Sequence, residues 1–422
     1  MYRNGFVNSS REPPDLHVQT EVESPGIEPK KNSTPWVPTS GGMECVADDR
    51  EALAAFETFF NSTRFSDVTL LVGDEVFLYC NHVTLHAENT LPILILADKY
   101  NVTSLRKVCL EFAVQHIIPD LSLKDVFHVW FQYGTKCFHK PLISASINLL
   151  SPIFREISTS SDWEKEWLSM DRDQLCEFLK CSDLTVTSEF EIWQSVLKWI
   201  QAPAHPERRG SFAEKNLAQV LPYIRFAFLM PDELSAVEKS SVAEQHPKLF
   251  TTHLMLAYKW QALPLSSRIS CRDFVGPQFL LRNYTDIRWD KRFTVQDITS
   301  MPKYTEIALK FQTRASALPP QVWDWELKIH PKGFSGANEE FRVTLASSVA
   351  LDQTRAVEYL LSVVDEKRVL RSMSGKKTFS KTRYSGDLEM DKRVNAEEIL
   401  DGNSPLIVND SLHFQLTLRP IE

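Results

Sequence analysis

Histidine and cysteine are the side chains of this chain best suited to hold a metal or attack a carbonyl, and their spacing favours neither role. His82 and His86 stand four apart and would share one face of a helix, but no cysteine or carboxylate set completes a tetrahedral site around them. His128, Cys137 and His139 straddle a helix and a break with no fourth ligand nearby in sequence, so they are expected to be helix-packing residues. Cys176 and Cys181 are five apart, which suits neither a zinc knuckle nor a redox pair, and are expected to be core thiols. The sequence contains no G-x-S-x-G, Walker A, G-x-G-x-x-G or H-E-x-x-H pattern. No catalytic group, cofactor or metal site is therefore expected.

Composition narrows the partners. The chain has 422 residues and a formal net charge of −8, which argues against nucleic acid or an anionic membrane as the principal partner. Its 13 glycines are less than half the usual ~7%, so phosphate-cradling loops are not expected. The stretch Arg371 to Arg383 is basic without an acidic residue, and reads as a solvated strand pair rather than a nucleic-acid site. No apolar run approaches the ~20 residues of a membrane span. The seven cysteines are scattered and contain no C-x-x-C pair, as reduced thiols would be. The N-terminus carries no secretory pattern, which predicts a cytoplasmic protein, or a secreted one if a signal-bearing segment lies upstream. Six N-x-Ser/Thr sequons occur, at Asn8, Asn32, Asn61, Asn101, Asn283 and Asn409. On a secreted protein Asn61, Asn101, Asn283 and Asn409 would be candidate glycosylation sites.

The elements that would position these residues fall into blocks. Residues 1–49 hold six prolines among polar residues and show no periodicity, the mark of a disordered lead-in. Leu53, Phe56 and Phe60 recur at helical spacing, and FSDVTLLVGDEVF reads as strand, Gly-Asp turn and strand. From 119 to 263 helical patterns follow one another with short polar or proline-bearing breaks, which predicts antiparallel neighbours. The best marked helix starts at Ser188. There Ser188 and Glu191 are spaced as a capping box, and Ile192, Trp193, Val196, Leu197 and Ile200 form one apolar face. Residues 264–286 read as a linker. Beyond about Ile287 the period becomes two, as in Trp323, Trp325, Leu327 and Ile329 or Leu412, Phe414, Leu416 and Leu418, which predicts an antiparallel β-sandwich.

Family resemblances lie on these same blocks. CSDLTVTSEFEIWQSVLKWI (Cys181 to Ile200), with LPYIRFAFLMPDEL (Leu221 to Leu234), resembles the BACK domain, the helical module that follows a BTB/POZ domain in many adaptors. FSDVTLLVGDEVF and ENTLPILILADKYNVTSLRKVCLEFAVQHI resemble the opening strand and closing helices of BTB/POZ. The second strand, helical hairpin and third strand that the family places after Phe77 are missing, as in a spliced or mis-assembled form. WDWELKIHPKG is similar to the TRAF or MATH sandwich.

The resemblance implies a multidomain α + β chain: a truncated BTB/POZ α/β segment (50–118), an all-α BACK domain (119–263), the linker, and a TRAF/MATH-like antiparallel sandwich (287–422). It further implies a non-enzymatic scaffold that self-associates through Leu53, Phe56 and Phe60 and holds a peptide or protein on the sandwich. Serving as a substrate receptor for a cullin-3 ubiquitin ligase is the family role that would follow. The alternative is a secreted, oligomeric glycoprotein like galectin-3-binding protein.

Overall fold

The computed structural model describes residues 69–72, 75–78 and 84–421, apart from 317–320, 337–338, 349–350, 352 and 381–384. Leu53, Phe56, Phe60, Asn8, Asn32, Asn61 and His82 lie outside the described residues. The chain divides into two units, Met1–Thr69 with Leu78–His82, and Leu70–Phe77 with Val83–Glu422; the larger is described below. Strands β1 (Thr69–Val72) and β2 (Glu75–Leu78) pair with each other.

Helices α1 (Thr90–Lys99) and α2 (Thr103–Phe112) form a hairpin whose turn places Asn101 in the left-handed region at φ 55°. A continuous helical run from Leu123, with a π-type middle over Val126–Phe131, ends in α3 (Gln132–Cys137). Then come α4 (Lys140–Leu150), α5 (Phe154–Thr159), α6 (Glu164–Ser169) and α7 (Arg172–Lys180). Among the helical patterns between 119 and 263, EWLSMDRDQLCEFLKC (Glu166 to Cys181) reads as one run, yet the structure breaks it at Met170. The Asp171 carboxylate accepts from the Gln174 N–H at 2.8 Å while the Gln174 side chain accepts from the Asp171 N–H at 2.9 Å. This reciprocal cap starts a new helix where periodicity alone saw a continuation.

After the two-residue strand β3 (Thr185–Val186), helix α8 (Glu189–Ile200) begins at Ser188, whose hydroxyl accepts from the Glu191 N–H at 3.4 Å. The expected capping box is altered. The Glu191 carboxylate reaches the Thr187 N–H at 2.8 Å, one residue earlier than the cap's own. Ile192, Trp193, Val196 and Ile200 are buried as expected, Leu197 only partly, and Trp199 is buried as well. The Trp199 indole donates to the Met170 carbonyl at 2.9 Å and the Arg208 guanidinium lies 4.2 Å over its ring, which satisfies a polar handle inside an apolar core. Helices α9 (Ala213–Val220), α10 (Pro231–Glu238), α11 (Ser241–Gln245) and α12 (Pro247–Ala262) complete the array.

The residues expected to be a linker are ordered. Helix α13 (Leu265–Ser270) packs on two strands of the sandwich, and β4 (Asn283–Tyr284) pairs in parallel with β3. The sandwich has two antiparallel sheets. One holds β10 (Val369–Phe379), β9 (Arg355–Val364), β13 (Ser411–Pro420) and β12 (Ile407–Val408), with β5 (Asp290–Val295) also paired to β13. The other runs β11 (Ser385–Asp387), β8 (Arg342–Ser347), β7 (Gln321–His330), β6 (Ile307–Ser316). Between them lie Trp325, Leu327, Ile329, Val343, Leu345, Leu361, Val363, Phe414 and Leu416, with Phe341 and Phe414 stacked at 5.9 Å. Trp323 is only partly buried, stacked edge-on against Trp325 and covered by Arg355. Gly375 stands opposite Tyr359 in the β10–β9 register, and a Cβ there would meet the phenol ring at 2.8 Å. A small α14 (Ala396–Leu400) closes one end of the sandwich.

Candidate functional site

The most elaborate polar arrangement of the described residues sits where helices and sandwich meet, and it is built around one carboxylate. Glu189 opens α8 and is wholly buried. Its Oε1 accepts from the Arg225 backbone N–H at 2.8 Å, and its Oε2 accepts from Arg282 Nε at 3.1 Å and the Tyr284 hydroxyl at 2.7 Å. Both arginines are about 1% exposed. Arg225 donates to the Leu280 carbonyl at 2.7 Å and the Ser182 hydroxyl at 2.8 Å; Arg282 donates to the Cys181 and Tyr223 carbonyls. The three ionic side chains therefore tie together α8, the turns after α7 and α9, and the strand leading into the sandwich.

Electrostatics follows from this enclosure. Burial alone would raise the Glu189 carboxyl, but Arg282 and Arg225 beside it, with the Tyr284 hydroxyl and the Arg225 N–H, hold it below its ordinary value. Burial and the neighbouring Arg282 pull Arg225 down to about 9, which leaves it cationic at neutral pH. Burial and the Glu189 charge push the Tyr284 phenol well up, so it remains a donor.

The sandwich supplies the opposite wall. On β13, the Gln415 side chain accepts from the Leu281 N–H at 3.0 Å and donates to the Phe279 carbonyl at 2.9 Å, reproducing the pairing of a further strand. Arg292 on β5 donates to the Leu281 carbonyl and pairs with Asp183 at 3.1 Å. Arg288 pairs with Asp290 at 2.8 Å, donates to the Phe228 carbonyl and lies 4.7 Å over the Tyr284 ring. Val369 donates to the Val275 carbonyl at 2.9 Å. Apolar contact continues through: Trp260, Phe274 and Phe279 form an aromatic cluster, and Leu360 of β9 belongs to the helical core.

A second polar cluster lies at the other end of the helical array. The Asp98 carboxylate at the end of α1 accepts from the Tyr133 hydroxyl, from His139 Nε2 at 2.6 Å and weakly from Arg106 at 3.5 Å. A cysteine sulfur joins it, since ligand atoms of Asp98, Cys137 and His139 all lie within 4.8 Å of one another. Near it, an open groove of about 370 Å³ is lined by Arg106, Leu110, Val114 and Pro141. Tyr100, Val102 and Val108 on the α1–α2 hairpin are exposed.

The residues singled out in the sequence are distributed as follows. His128 turns away from Cys137 and His139 to meet Glu166 at 3.1 Å, which Lys124 also pairs at 2.8 Å. His86 lies before α1 and not on a helix. Cys176 is buried and its thiol is pushed up to about 11 by burial; Cys181 is half-buried with its sulfur accepting from the Asp183 N–H. Two members of the basic run have acidic partners, Arg371 with Glu398 and Lys377 with Glu389. Asn101, Asn283 and Asn409 are exposed; Asn283 donates to the Asp183 carbonyl at 3.3 Å and Asn409 adopts φ 50°. Glu189, Arg225, Arg282 and Gln415 were not foreseen. The available signal was the nearly unbroken apolar run Tyr359–Val364, buried residue after residue as a strand covered on both faces must be; Phe414–Leu418 is buried likewise although its sequence alternates, and gave no signal.

Comparison with known proteins gives these regions names. The BACK family (BTB And C-terminal Kelch) matches residues 129–239, and the BTBD17 TRAF domain family matches residues 279–339. BTB/POZ domain-containing protein 17 of Xenopus laevis is 23% identical over 382 residues, covering 82% of this chain and 75% of that protein. The Homo sapiens protein of the same name is 23% identical over 239 residues, covering 56% of this chain and 46% of that protein, so less than half of its length is spanned. Kelch-like protein 8 of Mus musculus is 26% identical over 184 residues, covering 41% of this chain and 25% of that protein. Among the described residues no helix is long and apolar enough to cross a membrane.

Proposed function

We propose that this chain, which resembles BTB/POZ domain-containing protein 17 in joining a BACK domain to a BTBD17-type TRAF domain, is a protein-interaction adaptor that presents its sandwich at a fixed angle to its helical array. The observation that carries the reading is the Glu189 network. A buried carboxylate that pairs with Arg282 and accepts from the Tyr284 hydroxyl and the Arg225 backbone N–H resists bending, because a small displacement separates these partners before water can enter to replace them. A scaffold whose task is to set distance and direction needs such a joint; an enzyme would need a cleft with converging reactive groups instead.

Two ends follow from the reading. The sandwich holds a peptide or protein, and the helical end, with the groove beside α2, serves a second protein. Reception of substrates for a cullin-3 ubiquitin ligase is the specific role within this reading, favoured by the BACK domain and by the likeness to a Kelch-like protein. The test is binding of the purified amino-terminal region of cullin-3 to the full chain, with cross-links mapped by mass spectrometry. A one-to-one complex cross-linked to the helical array supports the role. Absence of binding removes it and leaves the adaptor to be tested by partners cross-linked to the sandwich. The secreted-glycoprotein reading rests on exposed Asn101, Asn283 and Asn409, and glycan occupancy on protein from its native cell decides it.

A further inference from the structure

We propose that Asp98, Cys137 and His139 form a zinc site that clamps the end of α1 to the turn between α3 and α4. Sequence spacing offers only Cys-x-His, too little for a site. The fold adds a carboxylate from a separate helix, and the three donor atoms come within 4.8 Å of one another.

The local geometry is costly unless it has a use. Phe138, between the two donors, is left-handed at φ 58°, a conformation that bulky side chains disfavour. Its ring is 77% exposed, so packing does not compensate. The twist turns Cys137 and His139 toward the same side. Gly134 lets the turn close tightly: a Cβ there would stand 3.0 Å from the Leu142 Cβ, and its carbonyl accepts from the His139 N–H at 2.8 Å. The His139 side chain is 10% exposed, with Nε2 directed at Asp98 and its ring near that of Tyr133.

The donor set selects the ion. One thiolate, one imidazole and one carboxylate suit Zn²⁺, whereas Mg²⁺ and Ca²⁺ require oxygen ligands. A tetrahedral ion holds nitrogen and oxygen donors about 3.4 Å apart. The 2.6 Å His139–Asp98 hydrogen bond must therefore open by about 0.8 Å, a small rotation of either side chain. The Tyr133 hydroxyl, already on Asp98, or a water supplies the fourth position. Binding displaces the Cys137 thiol proton, and thiolate and carboxylate together neutralise the ion, so affinity falls as pH falls.

The experiment uses the full chain, reduced and freed of metal by chelation. Zn²⁺ is titrated against a competing chromophoric chelator, Co²⁺ is used as a spectroscopic substitute, and backbone hydrogen exchange in α1 is followed with and without Zn²⁺. The expected result is one tightly held equivalent, a sulfur-to-cobalt charge-transfer band, and slower exchange at the end of α1. Cys137→Ser and Asp98→Asn each weaken binding at least about tenfold and remove the slowing, while Cys271→Ser, a cysteine outside the cluster, changes none of the three readouts. Binding that survives both Cys137→Ser and Asp98→Asn, that is lost in Cys271→Ser, or that is no tighter in the wild type than in Cys137→Ser overturns the site and leaves a hydrogen-bonded cluster.

Discussion

The two ends of the helical array handle polar groups in opposite ways. At the sandwich joint, Glu189, Arg225 and Arg282 are sealed from water and their donors and acceptors converge from four segments of the chain. At the α1–α2 end, Asp98 keeps 18% side-chain exposure, Cys137 is exposed, and Tyr100, Val102 and Val108 face solvent beside a groove. The joint is over-determined, so changing one member leaves others stranded. The hairpin end is adjustable, so changing one member leaves neighbours that water can satisfy. On the proposed reading, a molecule built this way would hold the sandwich in one direction and keep the hairpin end open to solvent.

The sharpest way to break that contrast is Glu189→Gln. It leaves the buried Arg282 guanidinium without its ion-pair partner and removes a neighbouring charge from Arg225, and is expected to cost about 3–5 kcal/mol by urea denaturation. Gly375→Ala places a methyl group against the Tyr359 ring and is expected to cost about 1–3 kcal/mol by the same measurement. Gln415→Ala strands the Leu281 N–H and Phe279 carbonyl, at about 1–3 kcal/mol, and should speed hydrogen exchange in 279–284 before the sandwich core is affected. At the hairpin end, Val108→Thr should shift stability by no more than about 0.5 kcal/mol, because the residue is 51% exposed.

Acid should test the carboxylate charge at the joint directly. The folded Glu189 carboxyl lies below its ordinary value of 4.5, so as pH falls the unfolded chain takes up the proton first. The contribution of Glu189 is complete above that value and is lost as pH falls through the depressed folded value. Thermal melting between pH 6 and the acid limb should show this loss in the wild type, and Glu189→Gln should lack that part of it. A wild-type and variant difference that is independent of pH would contradict the role of the carboxylate charge.

Much of the array was legible because its signals are local. Ser188 capped a helix as expected, and Trp325, Leu327 and Ile329 alternate inward as a half-buried strand requires. The misreadings arise where a distant group decides. Asp171 and Gln174 cap each other inside an apolar pattern that looked unbroken. Residues 264–286 look like a linker by their proline and serine content, yet Arg282, Tyr284 and Leu281 find their partners 93, 95 and 134 residues away. His139 was set beside His128 by spacing, whereas the fold brings Asp98, 41 residues before it. Long-range polar pairs carry no periodicity, so sequence pattern does not announce them.

The central claim is that the joint makes helical array and sandwich one rigid body. Nitroxide labels at Lys215, exposed on α9, and Lys310, exposed on β6, placed in a background without reactive native cysteines, allow it to be measured by pulsed dipolar spectroscopy. A single narrow distance distribution in the otherwise native chain, broadened by Gln415→Ala and more so by Glu189→Gln, is the predicted result. A distribution already broad with Glu189 and Gln415 in place would contradict the account.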